Sequence, residues 1–493
     1  MACRLEERTD SEARTIRSVR AFRVAVGADV PPGCPSRALP SYSRPVNERH
    51  SDSPALARNL SLRDLVVYGL LFIGPLAPVG VFGVLDAHAS GAVALVYLVA
   101  TLAMAFTAWS YAQMSRVVPH AGSVFAYARE GLGRPAGFIA GWMAILDYLL
   151  IPSLAYLFSG IALHAMVPSV AAWVFTVIAF VLTTALNLMG VGVAARIGFL
   201  VLVAEIVVLA LFIAGATVAL ATHGPARPWT APFAGTGVLD LKMLAGAISI
   251  AVLSFLGFDA IASFAEESSG DARQVGRAIM FCLVVAGALF VVESYLGGLL
   301  SAVPPSELAA HPERQGTAFY DLTRAAIGPW LATAMALTKA VGPAFAAMTG
   351  QAAAGRLLFG MARDGQLPAA LARVDARHGV PRAALLAVAS LTLAVSVWAA
   401  RQDDGLSVLV SIVDVGALAA FTLLHASVVG YFVVRRRAAA RAAHRVVPAV
   451  GVAVTLWVLV GASPLAKTVG AAWLAIGLLV FATRRADAAS RPG

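Results

Sequence analysis

From Leu62 onward, long apolar runs alternate with short polar breaks along the chain. Each run is close to the ~20 residues that carry a helix across a bilayer, and is too long for a barrel strand. Twelve spans are predicted, at 64–85, 91–115, 136–163, 170–189, 197–221, 243–264, 278–302, 329–354, 382–400, 406–434, 447–463 and 468–483. Residues 1–58 break the pattern. They are Arg-rich, hold several prolines and contain no apolar run, so they read as a disordered tail rather than a signal peptide. The expected organisation is a tail at 1–58, a ten-helix core at 59–434, and two further helices with a short tail at 435–493.

Two spans are interrupted near their middles. The first reads IGPLAPVGVFG at 73–83, where Pro75 and Pro78 remove amide donors and Gly74, Gly80 and Gly83 loosen the backbone. The sixth reads SFLGFDAIASFAEES at 254–268, with Gly257 and Asp259 at its centre. In lipid, a broken helix is tolerated only where protein or a cavity satisfies its backbone, and the half-helix ends then offer carbonyls and amides to a ligand. Simple kinking is the plainer explanation for either break alone. Breaks in spans one and six together predict two five-helix repeats of inverted topology with a site between them.

Composition narrows the class. Hydrophobic residues make up 59% and charged residues 13% of the 493 residues, and mean hydropathy is +0.80. A soluble surface needs about 25% charge, so this is an all-α integral membrane protein. Disorder of the whole chain, a disulfide scaffold and a nucleic-acid-binding globule are excluded. Of 37 basic residues only Lys242, Lys339 and Lys467 are lysines, and a pI near 9.9 reflects cytoplasmic loops rather than a nucleic-acid partner. With the N-terminus cytoplasmic, thirty basic residues fall inside. Six (Arg227, Lys242, Arg314, Arg324, Arg401 and Lys467) fall outside, and Lys339 lies within a span. Both termini are therefore expected in the cytoplasm of a cell with an inner membrane. The three cysteines have no metal-binding spacing, and no cofactor or metal is expected.

Three stretches carry a family resemblance: VPHAGSVFAYAREGLG at 118–133, SFLGFDAIASFAEES at 254–268 and GRLLFGMARDGQLP at 355–368. They resemble the cytoplasmic loop after the second helix, the sixth helix and the loop after the eighth in the amino acid–polyamine–organocation superfamily of secondary transporters. DYLLIP at 147–152, SFLGFD at 254–259 and VGALAAFTLLHAS at 415–427 are most similar to bacterial putrescine importers. The likeness covers roughly 60–435 and implies twelve helices with five-plus-five inverted repeats. Many amino-acid-transporting members hold the substrate carboxylate on free amides of a Gly/Ser-rich first break. Here Gly74-Pro75-Leu76-Ala77-Pro78 has lost donors, which favours an amine without a carboxylate.

Ionisable side chains at membrane depth are costly and are functional candidates by default. Asp147, Glu205, Asp259, Glu293 and Asp414 are five acids against one base, Lys339, an excess that suits a cationic substrate, a proton or both. Asp259 has a structural alternative as a helix cap, and Asp147 as interhelical glue. The family resemblance places a basic residue near Glu205 in the fifth helix. A carboxyl there is a candidate proton carrier, because losing its hydration makes ionising it costly; a neutral Glu or a pair with Lys339 is the alternative. Tyr148 is expected to face a ligand cation, and Phe255 to cover the site as a gate. Gly74, Pro75 and Gly257 supply the break backbone. Glu266 and Glu267, near Arg273 and Arg277, suggest an ion-pair latch or a solvated cluster.

No ATPase, phosphate-loop or nucleophile motif occurs, and the nine histidines are scattered, so an enzyme is not expected. A continuous polar stripe that would suit a channel is also absent. The expected function is import of a small amine, putrescine or a related polyamine, by proton symport. A cationic or neutral amino acid permease, an exchanger, or a transporter-like sensor are the alternatives. The orientation predicts that a cysteine at Gly316, in a background without native cysteines, reacts with an impermeant thiol reagent from outside, while one at Ala440 does not. The reverse labelling pattern contradicts it.

Overall fold

The computed structural model describes residues 59–489 apart from 120–121, 168, 190, 238–240, 272, 376–377, 403–404 and 438–440. The tail expected at 1–58 lies outside the described residues. Residues 54–493 form one compact unit. Among the described residues the chain is helical throughout, with one isolated parallel bridge between Leu60 and Ser268. Among the described residues eleven helical segments are long and apolar enough to cross a membrane, so this is a multi-pass membrane protein. At the place of the expected fourth span lies an apolar helix of 17 residues, Ala172–Leu188, shorter than the other eleven. At 1.5 Å per residue it reaches about 26 Å, just under the hydrocarbon thickness.

The first span is two helices. Helix α1 (Leu62–Ile73) starts on a capping box in which the Asp64 amide donates to Ser61 Oγ and the Ser61 amide donates to Asp64 Oδ2. It stops at Gly74, whose amide closes the last turn on Leu70 at 2.9 Å with φ +76°. Helix α2 (Ala77–His88) restarts with Pro78 in its first turn, where no amide donor is missed. There follow α3 (Val93–Val117), the short α4 (Ser123–Leu132), α5 (Arg134–Met166), α6 (Ala172–Leu188) and α7 (Val191–His223).

The sixth span begins as α8 (Leu241–Leu253) and tightens at Ser254. The amides of Ser254, Phe255 and Leu256 each bond three residues back, and after Gly257 the rest, Phe258–Glu267, is a 3-10 helix. Thus the break does not open into extended chain; it turns left-handed at Gly257 and winds more tightly. Next come α9 (Gln274–Leu300), α10 (Ala318–Ala326), α11 (Pro329–Arg363), α12 (Arg382–Ala399) and α13 (Gly405–Ile412). The expected tenth span, 406–434, has one irregular turn at Val413, immediately before Asp414, where φ −65° and ψ −38° stay helical. It continues as α14 (Asp414–Val428) and ends in a π-helical turn, Val429–Arg435. The last two spans are α15 (Ala443–Gly461) and α16 (Pro464–Ala489).

Helix α5 runs along α11 and α14. A side chain on Gly416 would meet the Met143 carbonyl at 2.6 Å and the Asp147 amide at 2.8 Å, so glycine lets α14 lie against α5 beside Asp147. Helix α16 docks on α5 through Trp142 and Trp473, stacked at 4.8 Å, each indole donating to the other's carbonyl at 2.7 Å. At the end of the bundle remote from Leu60, Asp86 and Arg227 form a buried bidentate pair at 2.7 and 2.8 Å.

Two break glycines differ in what surrounds them. At Gly257, φ is +116° and a Cβ would sit 2.7 Å from the Phe72 ring; at Gly74, φ is +76° and the space is open. Gly74→Ala is expected to cost about 1–2 kcal/mol from backbone strain. Gly257→Ala adds overpacking, for a total on the order of 3–4 kcal/mol. Thermal unfolding in detergent checks the order; equal losses would show that Phe72 yields freely.

Candidate functional site

The two breaks face one cavity of about 100 Å³. Ile73 and Gly74 line it from the first break, Ser254 and Leu256 from the sixth, and Glu205 and Lys339 are the ionisable residues on its wall. Its volume exceeds the ~10–15 Å³ that one water needs several times over, which suits a molecule of several non-hydrogen atoms. Glu205 is buried and its carboxylate fits against Gly342, where any side chain would collide with Oε1. Its Oε2 has no hydrogen-bond partner.

A second polar centre lies on the other side of Phe72, which lines the cavity and packs over Gly257. Here Tyr148 donates to Asp259 Oδ2 at 2.7 Å, Tyr111 to the same oxygen at 3.4 Å, and the Gly257 amide to Oδ1 at 3.3 Å. Asp259 thus accepts from the break residue Gly257 itself and from two tyrosines, while no side chain caps the turn that follows, so its bonds are not those of the helix cap that was the structural alternative. Asp147 is buried within electrostatic reach of Asp259 and Asp414, and its Oδ1 is without a partner, as is that of Asp414. Rings of Tyr111, Phe258 and Phe421 meet edge-on or tilted at 6.0–6.2 Å around this group.

The sequence-predicted residues thus divide. Gly74 and Glu205 line the cavity; Asp147, Tyr148, Gly257 and Asp259 gather behind Phe72; Pro75 shapes the first break without lining the cavity. Phe255 is fully buried and packs on Phe290 at 5.1 Å and Tyr97 at 6.2 Å, so it does not cover the cavity. The carbonyls of Gly74 and Gly257 are not wholly free, since the amides of Ala77 and Ala260 bond them at 2.8 and 3.1 Å, leaving each one acceptor site. Among the described residues no three His, Cys, Asp or Glu side chains converge to hold a metal ion. Lys339, expected as a charge partner, and His425, given no expected role, are also polar groups inside the bundle. Lys339 faces the cavity, and the buried His425 links to Ser110 at 2.9 Å and Thr107 at 3.2 Å. His425 gave no local signal, because its partners lie more than 300 residues earlier in the chain.

At the end of the bundle where Leu60 enters, the sixth span is tied down. Glu267 pairs bidentately with Arg356, and Glu266 with Arg363, both from the end of α11. Of the suggested partners, Arg277 lies 3.9 Å from Asp271 at the surface. Arg356 also donates to the Ala352 carbonyl at 2.8 Å and lies 4.4 Å from the Phe264 ring centre. Leu60 donates its amide to the Glu267 carbonyl at 2.9 Å, binding the start of the first span to the same layer. Since the Glu267–Arg356 pair is 1% exposed on both sides, Arg356→Met is expected to destabilise by about 3–5 kcal/mol by stranding Glu267. Arg363→Met, in a partly exposed pair, costs about 1 kcal/mol or less. Detergent melting of the two variants tests this, and equal losses contradict it.

Residues 65–483 match the family described as amino acid permease. The low-affinity putrescine importer PlaP of Escherichia coli strain K12 is 28% identical over 386 residues, 78% of this chain and 82% of that protein. The branched-chain amino acid permease BcaP of Bacillus subtilis is 27% identical over 465 residues, 87% of this chain and 94% of its own. The vacuolar cationic amino acid transporter 2 of Arabidopsis thaliana is 29% identical over 398 residues, 76% and 59% respectively.

Proposed function

This chain belongs to the amino acid permease family, and on that premise we propose that it imports a small amine, putrescine or a related polyamine, by proton symport. As a permease it is a transporter and not an enzyme, and its family implies a small amine or amino acid as substrate. The observation that carries the amine reading is the charge around the two breaks. Glu205 is on the cavity wall, and Asp147, Asp259 and Asp414 lie behind Phe72. One lysine does not balance them. The proline-interrupted first break, which is poor in amide donors, points the same way, as does the likeness to a putrescine importer.

In this reading the protein is a twelve-span transporter of two inverted five-helix repeats, with residues 59–434 as the core, 435–493 as the added helices and 1–58 as the tail. Both termini face the cytoplasm from the inner membrane. An ammonium group enters at the cavity, and Asp147, Tyr148 and Asp259 select it once Phe72 moves aside, with Gly74, Pro75 and Gly257 shaping the backbone and Phe255 bracing the sixth break. Glu205 carries the proton. Alternating access is a rocking of one bundle against the other about this site, with the Glu267–Arg356 layer opening on the cytoplasmic side.

A second reading, an amino acid permease, is favoured by one observation: Lys339 lines the same cavity and offers a carboxylate an ammonium partner. Competition in proteoliposomes separates the two, because a diamine outcompetes glycine, alanine and glutamate in the first reading and a branched or cationic amino acid does so in the second. Asp259→Asn and Tyr148→Ala are expected to weaken apparent amine affinity by about tenfold, the scale of one lost charged hydrogen bond. Glu205→Gln mimics the protonated form. It is expected to abolish accumulation driven by a proton gradient while preserving exchange of substrate. Because the proton enters from outside, wild-type uptake falls as external pH rises, and the variant loses that dependence. Continued accumulation by Glu205→Gln removes Glu205 from the coupling role.

A further inference from the structure

One buried acid has no part in the site so far. Glu293, on α9, is 0% exposed, and neither of its carboxylate oxygens has a hydrogen-bond partner. An ionised carboxylate so placed is strongly disfavoured unless a charge of opposite sign stands nearby. The ionisable groups that face it are Lys339 from α11, Glu205 from α7 and Tyr97 from α3. Lys339 stands on the cavity wall with Glu205, and its ammonium would be 3.9 Å from a side chain at Gly80 of the first span.

Tyr97 also reaches the sixth break. The Tyr97 ring packs on Phe290 at 5.4 Å, and its hydroxyl is 3.0 Å from Ser254 Oγ, which lines the cavity. Phe255 packs against both Tyr97 and Phe290.

We infer that Glu205, Lys339 and Glu293 act as one charge-sharing unit in which Lys339 neutralises one carboxyl and the other carries a single coupling proton. The arithmetic is elementary. Two carboxylates and one ammonium leave one negative charge in a low-dielectric setting, and one bound proton removes it. Lys339 therefore sets the count at one proton rather than two, and Glu293 is as necessary to coupling as Glu205. Removing Glu293 frees Lys339 to pair with Glu205, which then has no reason to take a proton. This rests on the proton-symport reading above.

The test is a charge-compensation series in proteoliposomes, scored by accumulation in a proton gradient and by substrate exchange without one. Glu293→Gln is expected to exchange but not to accumulate, its accumulation ratio falling to unity. Adding Lys339→Met to it leaves Glu205 alone, which must again bind a proton, and gradient-driven accumulation returns. Accumulation at the wild-type level in Glu293→Gln, or a double variant that exchanges but stays uncoupled, overturns the inference. Melting in detergent supplies a second measure that needs no transport. Lys339→Met lowers the melting temperature, and Glu293→Gln in the same chain restores it; simple additivity of the two shifts overturns the pairing. If the wild type accumulates substrate equally without a proton gradient, the symport reading fails, and the melting series still decides whether Glu293 and Lys339 are paired.

Discussion

Backbone amides and carbonyls inside a bilayer have no water to turn to, and that constraint organises this protein. The chain interrupts two of its spans at mid-depth, at Gly74 and at Gly257, and each interruption is supported from within. Gly74 closes α1 on Leu70 and receives the Ala77 amide; Gly257 donates to Asp259 and receives Ala260. Both breaks contribute to one cavity, Gly74 from the first and Ser254 and Leu256 from the sixth. Phe72, one residue short of the first helix end, lies in the notch that only glycine leaves at 257, so the two breaks are locked to each other by shape.

Charge follows from the same constraint. Ions that pair fully serve to close the ends: Asp86 with Arg227 at one, Glu267 with Arg356 at the other. The acids in the middle are different. Glu205, Glu293, Asp147 and Asp414 each keep at least one buried oxygen without a donor. The fold satisfies its end charges yet leaves these four under-supplied, and in the proposed mechanism they are the acceptors for a proton or an ammonium group. The closed layer formed by Glu266, Glu267, Arg356 and Arg363 lies between these acids and the Leu60 end of the bundle. Its rupture therefore belongs to the same cycle that loads and empties them in the proposed transport mechanism.

Much was legible along the chain because it is written in local rules. Span length, the proline and glycine interruptions, and the depth of each ionisable residue are properties of short windows, and bilayer thickness converts them directly into structure. Hence the helical class, the places of the breaks and the candidate acids were all readable, and the family resemblance at 118–133, 254–268 and 355–368 pointed to the same class as the matched family. The short length of the fourth helix and the irregular turn at Val413 were not readable, since no proline or glycine lies within 172–188 or 410–414.

What the sequence by itself determined, then, is which residues must be buried and where the backbone must break. Which buried residues meet was decided only by the packing of helices far apart in the chain. Asp147 and Glu205 look alike as acids within apolar spans. The structure sends the first to a tyrosine-bound aspartate group behind Phe72 and the second to the cavity with Lys339. Glu267 had nearby arginines at 273 and 277, but α11 brings Arg356 to it instead. Phe255 sits next to the break in sequence yet faces Tyr97 and Phe290 behind it. A helix in lipid is apolar all round, so its sequence carries little record of which face meets which neighbour. That choice rests on glycine notches such as Gly342 and Gly416, which have meaning only once the opposing helix is in place.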